Sequence, residues 1–440
     1  MTAMINSIVI RGGRVVDPQN NTDTRTDVWI ENGLIRAIGP KIKCPLETPH
    51  FDATGLIVSP GWIDSHVHFR EPGFENKETI ATGSAAAASG GFTAVATMPN
   101  TQPPPDSVEG ITNHFRRVEN ASVCIYPIAC ITAGRGGRTL APLAKLAEAG
   151  AVAFSDDGDP VTKTQTMKNA LEISESCGVP LFPHEEVKSL TAGGCMHEGE
   201  VSRRLGVKGM PAAGEEEMIA RDIELVEHCG GHLHIAHIST RGTLELIRAA
   251  KRRGLAVTCE VLPHHFILTD EEVAVQGSAA KMSPPLREAS DVAAMKEGLR
   301  DDTIDTIATD HAPHMEGEKK LPLSEAPFGI VGLETAVGLT FTHLVEPGIL
   351  SLSQAIAKWT SEPARILKLP GGNFNLGSRG DVTLLDVNKS WTVNPEIFRS
   401  KSKNTPFAGW ELTGKAVATI VAGRLIYNEI SSRGINRDQQ

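Results

Sequence analysis

Cysteine is scarce and poorly arranged for cross-linking. The 440-residue chain has seven: Cys44, Cys124, Cys130, Cys177, Cys195, Cys229 and Cys259. The number is odd, the residues are dispersed, and no two form a CxxC pair. That spacing speaks against a disulfide framework or a zinc ribbon, and a reducing cytoplasm is the expected compartment. In the apolar segments CIYPIAC and VTCEVL they read as small buried hydrophobes. Long apolar runs are missing too. No stretch of about 18 uncharged apolar residues occurs, so no membrane-spanning helix is expected. The opening MTAMINSIVIRGGRVVD has neither a long apolar core nor a small-residue cleavage site, so no signal peptide is expected. Positive charge is not in excess either. Lys+Arg is 43 against 53 Asp+Glu, a formal charge of −10, which argues against nucleic acid as the main partner. No internal repeat or low-complexity segment appears, and 40% hydrophobic with 22% charged residues is ordinary globular composition.

What is present is a change of texture along the chain. The first 55 or so residues are short and strand-like: SIVIRGGRVVD, DVWIENGLIRAIG and GLIVSPG, broken by Gly and Asn. The same texture returns in GDVTLLDV and AVATIVAGRLIYN. Between these flanks eight candidate strands (62–69, 92–98, 123–131, 151–156, 179–184, 232–239, 256–263 and 303–310) alternate with helical stretches such as SVEGITNHFRRVEN, TQTMKNALEISESCG, EEEMIARDIELVEHCG, TRGTLELIRAAKRRG and ASDVAAMKEGLRDD. Such alternation predicts a parallel sheet with helical crossovers. Eight repeats over about 300 residues suit an α/β chain with a (β/α)8 TIM-type barrel. A doubly wound sheet is disfavoured because no GxGxxG follows the first strand. The expected division is residues 1–57 and 369–440 as a small β-sandwich formed by both termini, and 58–368 as the barrel.

Chemistry-bearing residues gather where the barrel strands end. His66 and His68 lie in DSHVHFRE, on one face of the first strand. Asp156 and Asp157 end the fourth strand, His184 the fifth and Asp310 the eighth. The sixth strand ends in HLHIAHIST, where period 2 puts His232 and His234 on one face and His237 on the other. The carboxyl ends of the strands form the face on which barrel enzymes build active sites. Several imidazoles with two carboxylates suit one or two divalent ions, zinc favoured. His264 and His265 stand near the same face, as supports of the site or as packing.

GWIDSHVHFREPG, ATMPNT, FSDDG, EGEVSRRLGV, IATDHAPH and APFGIVGLETA together resemble the dihydroorotases, and within them the class I bacterial branch of the cyclic amidohydrolases. The likeness runs from about Ser7 to about Asn428. It implies a zinc centre in which His66, His68 and Asp310 hold one ion, His184 and His237 a second, and Asp157 rather than Asp156 bridges them. Dihydropyrimidinases and allantoinases use a carboxylated lysine as the bridge, and VAFSDDG contains none. The resemblance further implies that Arg70, Asn100 and His314 hold the substrate carboxylate, and that backbone around Pro327 and Gly329 meets the ring amide. Arg70 shares the expected strand face of His66 and His68. Where the family reads NPPLR this chain has KMSPPLR, so Ser283 replaces an asparagine.

The implied reaction is the reversible cyclisation of N-carbamoyl-L-aspartate to L-dihydroorotate, with Asp310 as the proton-transfer group. Two alternatives are another cyclic amidohydrolase, such as an allantoinase or hydantoinase, and a non-catalytic relative that binds a partner enzyme. The second would be expected to lose ligands that this chain retains. A homo-oligomer or a complex with aspartate transcarbamoylase is compatible with the family. The polar segment MEGEKKLPLSEAP after the eighth strand is expected to be a loop, either closing over substrate or simply exposed.

Overall fold

The computed structural model describes residues 6–430. Residues 1–5 and 431–440, the outer ends of the two expected terminal parts, lie outside the described residues. Eight segments of the middle region pair in parallel and in chain order. Trp62–Val67 pairs with Phe92–Thr97, that strand with Cys124–Ala129, and that in turn with Ala153–Phe154. Single bridges at Leu181 lead on to Leu233–Ile235, which pairs with Val257–Val261 and so with Thr306–Ile307. A parallel bridge between Val67 and His311 sets the eighth segment against the first. The expected fifth strand is thus reduced to one bridging residue, although Phe182 N donates to the Phe154 carbonyl and His234 N to the Leu181 carbonyl. Asp64 fastens the junction of first and eighth: its carboxylate accepts from Thr309 N at 3.1 Å and from the Thr309 hydroxyl at 2.5 Å.

Helices Val108–Val118, Thr164–Cys177, Ala213–Cys229, Arg241–Arg252 and Ala289–Arg300 fall where the sequence pattern places them. Their starts are chemically marked: the Ser107 and Thr240 side chains accept from Gly110 N and Thr243 N, satisfying donors that have no partner inside the helix. The helix Ile80–Gly90, IATGSAAAASG, has no large apolar stripe to announce it. Its small residues permit close approach instead. A Cβ on Gly83 would stand 2.7 Å from the Phe69 ring.

Strands from both ends of the chain form one continuous eight-stranded sheet. Ile8–Asp17 pairs antiparallel with Thr22–Glu31 and parallel with Ile57–Pro60, and Ile57–Pro60 pairs antiparallel with Val382–Thr392. Glu411–Val421 and Arg424–Asn428 complete that side. Ile8, Val28, Phe51, Val58, Leu384 and Ile420 pack into its own apolar cluster. The sheet is pinned to the parallel segments through Thr383, whose hydroxyl donates to the Gly91 carbonyl at 2.6 Å and accepts from Trp62 N at 3.2 Å. Among the described residues no helix is long and apolar enough to cross a membrane. The seven cysteines are free thiols, with Cys130, Cys195 and Cys259 buried.

Candidate metal centre

At the carboxyl ends of five of the parallel segments, polar side chains converge. His66, His68 and Asp157 place one ligand atom each within 4.8 Å of one another, and so do Asp157, His184 and His237. Asp157 belongs to both groups. Its carboxylate lies 3.7 Å from His66 Nε2, 3.5 Å from His68 Nε2, 3.5 Å from His184 Nδ1 and 3.4 Å from His237 Nε2. Asp310 stands at the first group, 2.9 Å from His68 Nε2 and 3.6 Å from His66 Nε2. Asp156 turns away: it accepts from Ile131 N and Thr132 N at 2.9 and 3.1 Å, holding the loop after the third strand. No lysine joins the cluster among the described residues. Lys163 is exposed at the start of the next helix.

Backbone conformation explains how His237 reaches this group although the alternation of its strand points it elsewhere. The strand ends at Ile235, and His237 has a left-handed backbone, φ 38°. Asp310 and Arg70 are also left-handed, φ 47° and 62°. Each such residue costs about 1–3 kcal/mol and persists where its surroundings enforce it. For Arg70 this replaces the expected strand face: the strand stops at Val67, and a reversal three residues later aims the side chain.

Oxygen atoms behind the histidines fix their rings. His66 Nδ1 donates to Glu260 Oε1 at 2.7 Å, and His68 Nδ1 to Asn100 Oδ1 at 2.8 Å. His184 Nε2 lies 3.4 Å from Glu186 Oε2. In these tautomers the opposite ring nitrogens are acceptors, and they face the carboxylates of Asp157 and Asp310, which are also acceptors. Acceptors opposed across 3–4 Å require a cation or a proton between them. His66 Nε2 is fully buried and has no hydrogen-bond partner. The donor set therefore fits a metal ion. Without one, a proton takes its place: burial opposes charge on His66, but Glu260, then Asp157 and Asp310, push its pKa up to about 10. Burial likewise opposes charge on His184, and Asp157 and Glu186 push it up to about 9.

Glu260 and Glu186 are functional residues that the strand-end reading missed. Glu260 is a lone carboxylate in the buried strand Val257–Val261, and it also accepts from the Ser65 hydroxyl at 2.6 Å and from His234 Nε2 at 3.3 Å. A carboxylate in an otherwise apolar strand is the signal that would have found it. His264 and His265 are buried beside the site. His265 Nε2 donates to the Pro284 carbonyl at 3.0 Å, and His264 Nε2 has no partner.

A cavity of about 550 Å³ opens over the cluster, and every expected site residue except His66 lines it. Arg70 donates to the Pro313 carbonyl at 3.2 Å and makes no salt bridge among the described residues. Burial lowers its pKa to about 10, which leaves it charged. His314 donates to the Phe328 carbonyl at 2.8 Å; burial and the cations Arg70, Lys77 and Lys319 lower its pKa. Ser283 lies in the cavity wall.

The sequence profile of the family described as Dihydro-orotase-like matches residues 55–243. A protein named dihydroorotase from Citrifermentans bemidjiense is 49% identical over 423 residues, 96% of this chain and 99% of that one. Another of that name, from Pelotomaculum thermopropionicum, is 50% identical over 96% of this chain and 99% of its own length. Among solved structures, the L-hydantoinase (dihydropyrimidinase) from Arthrobacter aurescens superposes with a TM-score of 0.88 at 25% identity, covering 97% of both chains.

Two substitutions test the geometry. Glu260→Gln keeps the shape but weakens the hold on His66, so metal affinity should fall about 10- to 100-fold in a chelator competition; unchanged affinity would remove the orienting role. Asp157→Ala should lose more bound metal than Asp156→Ala when both are assayed by elemental analysis. The reverse order would overturn the bridging assignment.

Proposed function

The chain belongs to the dihydroorotase family, and from that premise we propose that it catalyses the reversible ring closure of N-carbamoyl-L-aspartate to L-dihydroorotate in pyrimidine synthesis. The observation that carries this reading is near-50% identity to dihydroorotases along almost the whole chain, joined to a cavity in which a metal-fitting cluster faces an arginine without a carboxylate partner. We read the parallel segments as a (β/α)8 barrel over 58–368, and the sheet from both ends as the accompanying β domain. The motifs FREPG, MPNT and EGEVSRR support the class I bacterial branch.

In this reading His66, His68 and Asp310 would hold one zinc ion and His184 and His237 a second, with Asp157 between them. Zinc supplies Lewis-acid chemistry: it lowers the pKa of water and polarises the amide carbonyl. Glu260, Asn100 and Glu186 hold the three histidine rings in the tautomers that such an ion requires. Asp310 is ionised: burial opposes this, but the neighbouring imidazoles of His68 and His66 lower its pKa to about 2. It is placed to take the proton of the attacking water and to deliver it to the departing ring nitrogen. Ring closure runs the same transfers backwards. Arg70 offers a planar fork to the substrate carboxylate. The Asn100 amide group is left free to donate toward the same cavity, since its oxygen is already engaged by His68.

The direct test is dihydroorotate hydrolysis by the purified chain. Chelation should abolish it, and zinc should restore it without added bicarbonate, because the bridge is an aspartate and needs no carbon dioxide. Full activity in demonstrably metal-free protein would sink the assignment. Arg70→Lys should lower kcat/KM for dihydroorotate by at least about tenfold, since lysine cannot reproduce the two parallel hydrogen bonds. A nearly silent swap, or unsubstituted hydantoin turned over as well as dihydroorotate, would favour a hydantoinase instead.

A further inference from the structure

The segment MEGEKKLPLSEAP is a largely exposed loop with one charged side chain turned inward. Glu316 and Lys320 are exposed and pair with each other, but Lys319 between them is only 7% exposed. Its ammonium donates to three backbone carbonyls: Pro327 at 2.8 Å, Gly329 at 3.0 Å and Lys281 at 3.2 Å. All three of its protons are thereby used. No salt bridge answers its charge among the described residues; the neighbouring charge is Lys281, whose own ammonium donates to the Leu323 carbonyl at 2.6 Å. Burying a cation without a counter-charge is costly. Burial and Lys281 accordingly push its pKa down to about 7.

The carbonyls it grips show what that cost secures. Pro327, Phe328 and Gly329 form one wall of the cavity, and Ser283, two residues beyond Lys281, forms another part. The Phe328 carbonyl is held by His314 and the Gly329 carbonyl also by Asn404 Nδ2 at 3.0 Å. Gly329 N donates to the Lys281 carbonyl at 3.0 Å. One ammonium thus fastens the loop after the seventh barrel strand to the loop after the eighth. It also fixes the direction of the one lone pair that the Pro327 carbonyl keeps, while both lone pairs of the Gly329 carbonyl are taken by Lys319 and Asn404.

Resting on the dihydroorotase reading, we propose that Lys319 is a positioning residue: it sets the spacing and orientation of the Pro327–Gly329 and Lys281–Ser283 backbone that receives the ring amide of the substrate. It touches neither the metal-fitting cluster nor the proton-transfer group, so it governs substrate binding rather than the chemical step.

The test compares wild-type and Lys319→Met enzyme, both loaded with zinc, in dihydroorotate hydrolysis. Methionine is unbranched, one atom shorter and apolar, so it fills most of the same space but donates nothing. Failure of the wild type to turn over dihydroorotate would count against the functional reading itself. Given an active wild type, KM should rise by about tenfold or more, the scale of one lost hydrogen bond to a charged group, while kcat stays within about threefold and zinc content is unchanged. A KM within about twofold of wild type would overturn the proposal, as would a kcat loss that tracks loss of zinc. Should Lys319→Met fail to fold, Asn404→Ala removes the other donor to the Gly329 carbonyl; a KM increase of about threefold supports the proposal and an unchanged KM overturns it.

Discussion

One carboxylate surrounded by four imidazoles organises this molecule. Asp157 approaches His66, His68, His184 and His237 at 3.4–3.7 Å, and those residues come from the first, fifth and sixth barrel strands, while Asp157 itself ends the fourth. Burying so many polar groups at one point is costly unless they are partnered, and three of the imidazoles have an oxygen on their far side. Glu260 behind His66, Asn100 behind His68 and Glu186 behind His184 meet that need. Glu260 in turn is satisfied by Ser65 and His234, and His234 by Thr258 at 2.9 Å. The site is therefore one end of a chain of polar contacts that runs from Asp157 through Glu260 and His234 to Thr258 among otherwise apolar strands.

The same requirement accounts for the strained backbone. Arg70, His237 and Asp310 all adopt left-handed φ, and all three lie at the cavity. A regular strand end cannot aim successive side chains at one point, because its alternation sends every second residue away. A single left-handed residue reverses the direction at modest cost. The strain stays local, since the bridge between Val67 and His311 and the Asp64–Thr309 hydrogen bonds hold the strand ends on either side.

Much of the architecture was legible because it is periodic. Apolar runs ending in His or Asp marked the strands, and five of the helices fell on their amphipathic stretches. What was not legible is what periodicity does not carry. Ile80–Gly90 is helical through small residues packed closely, with no apolar stripe. His237 could be placed only by resemblance, because its conformation breaks the pattern that strand reasoning uses. Glu260 sits within a buried strand and not at its end, and Lys319 is one charge among several in a polar loop. Both identities depend on contacts between residues far apart in the chain: Glu260 meets a histidine 194 positions away.

The terminal sheet places a demand on how the chain comes to be assembled. Ile57–Pro60 finds its antiparallel partner only in Val382–Leu385, and Ser59 and Thr383 are 324 positions apart. During synthesis the amino-terminal strands therefore emerge with an open edge that nothing nearer in the chain covers. Such an edge is a template for pairing with other chains, and contacts this distant form late. All eight parallel segments are synthesised before the strand that seals the sheet exists. A ribosome stalled shortly before residue 382 would carry the whole set of metal-facing side chains and still lack the closing strand.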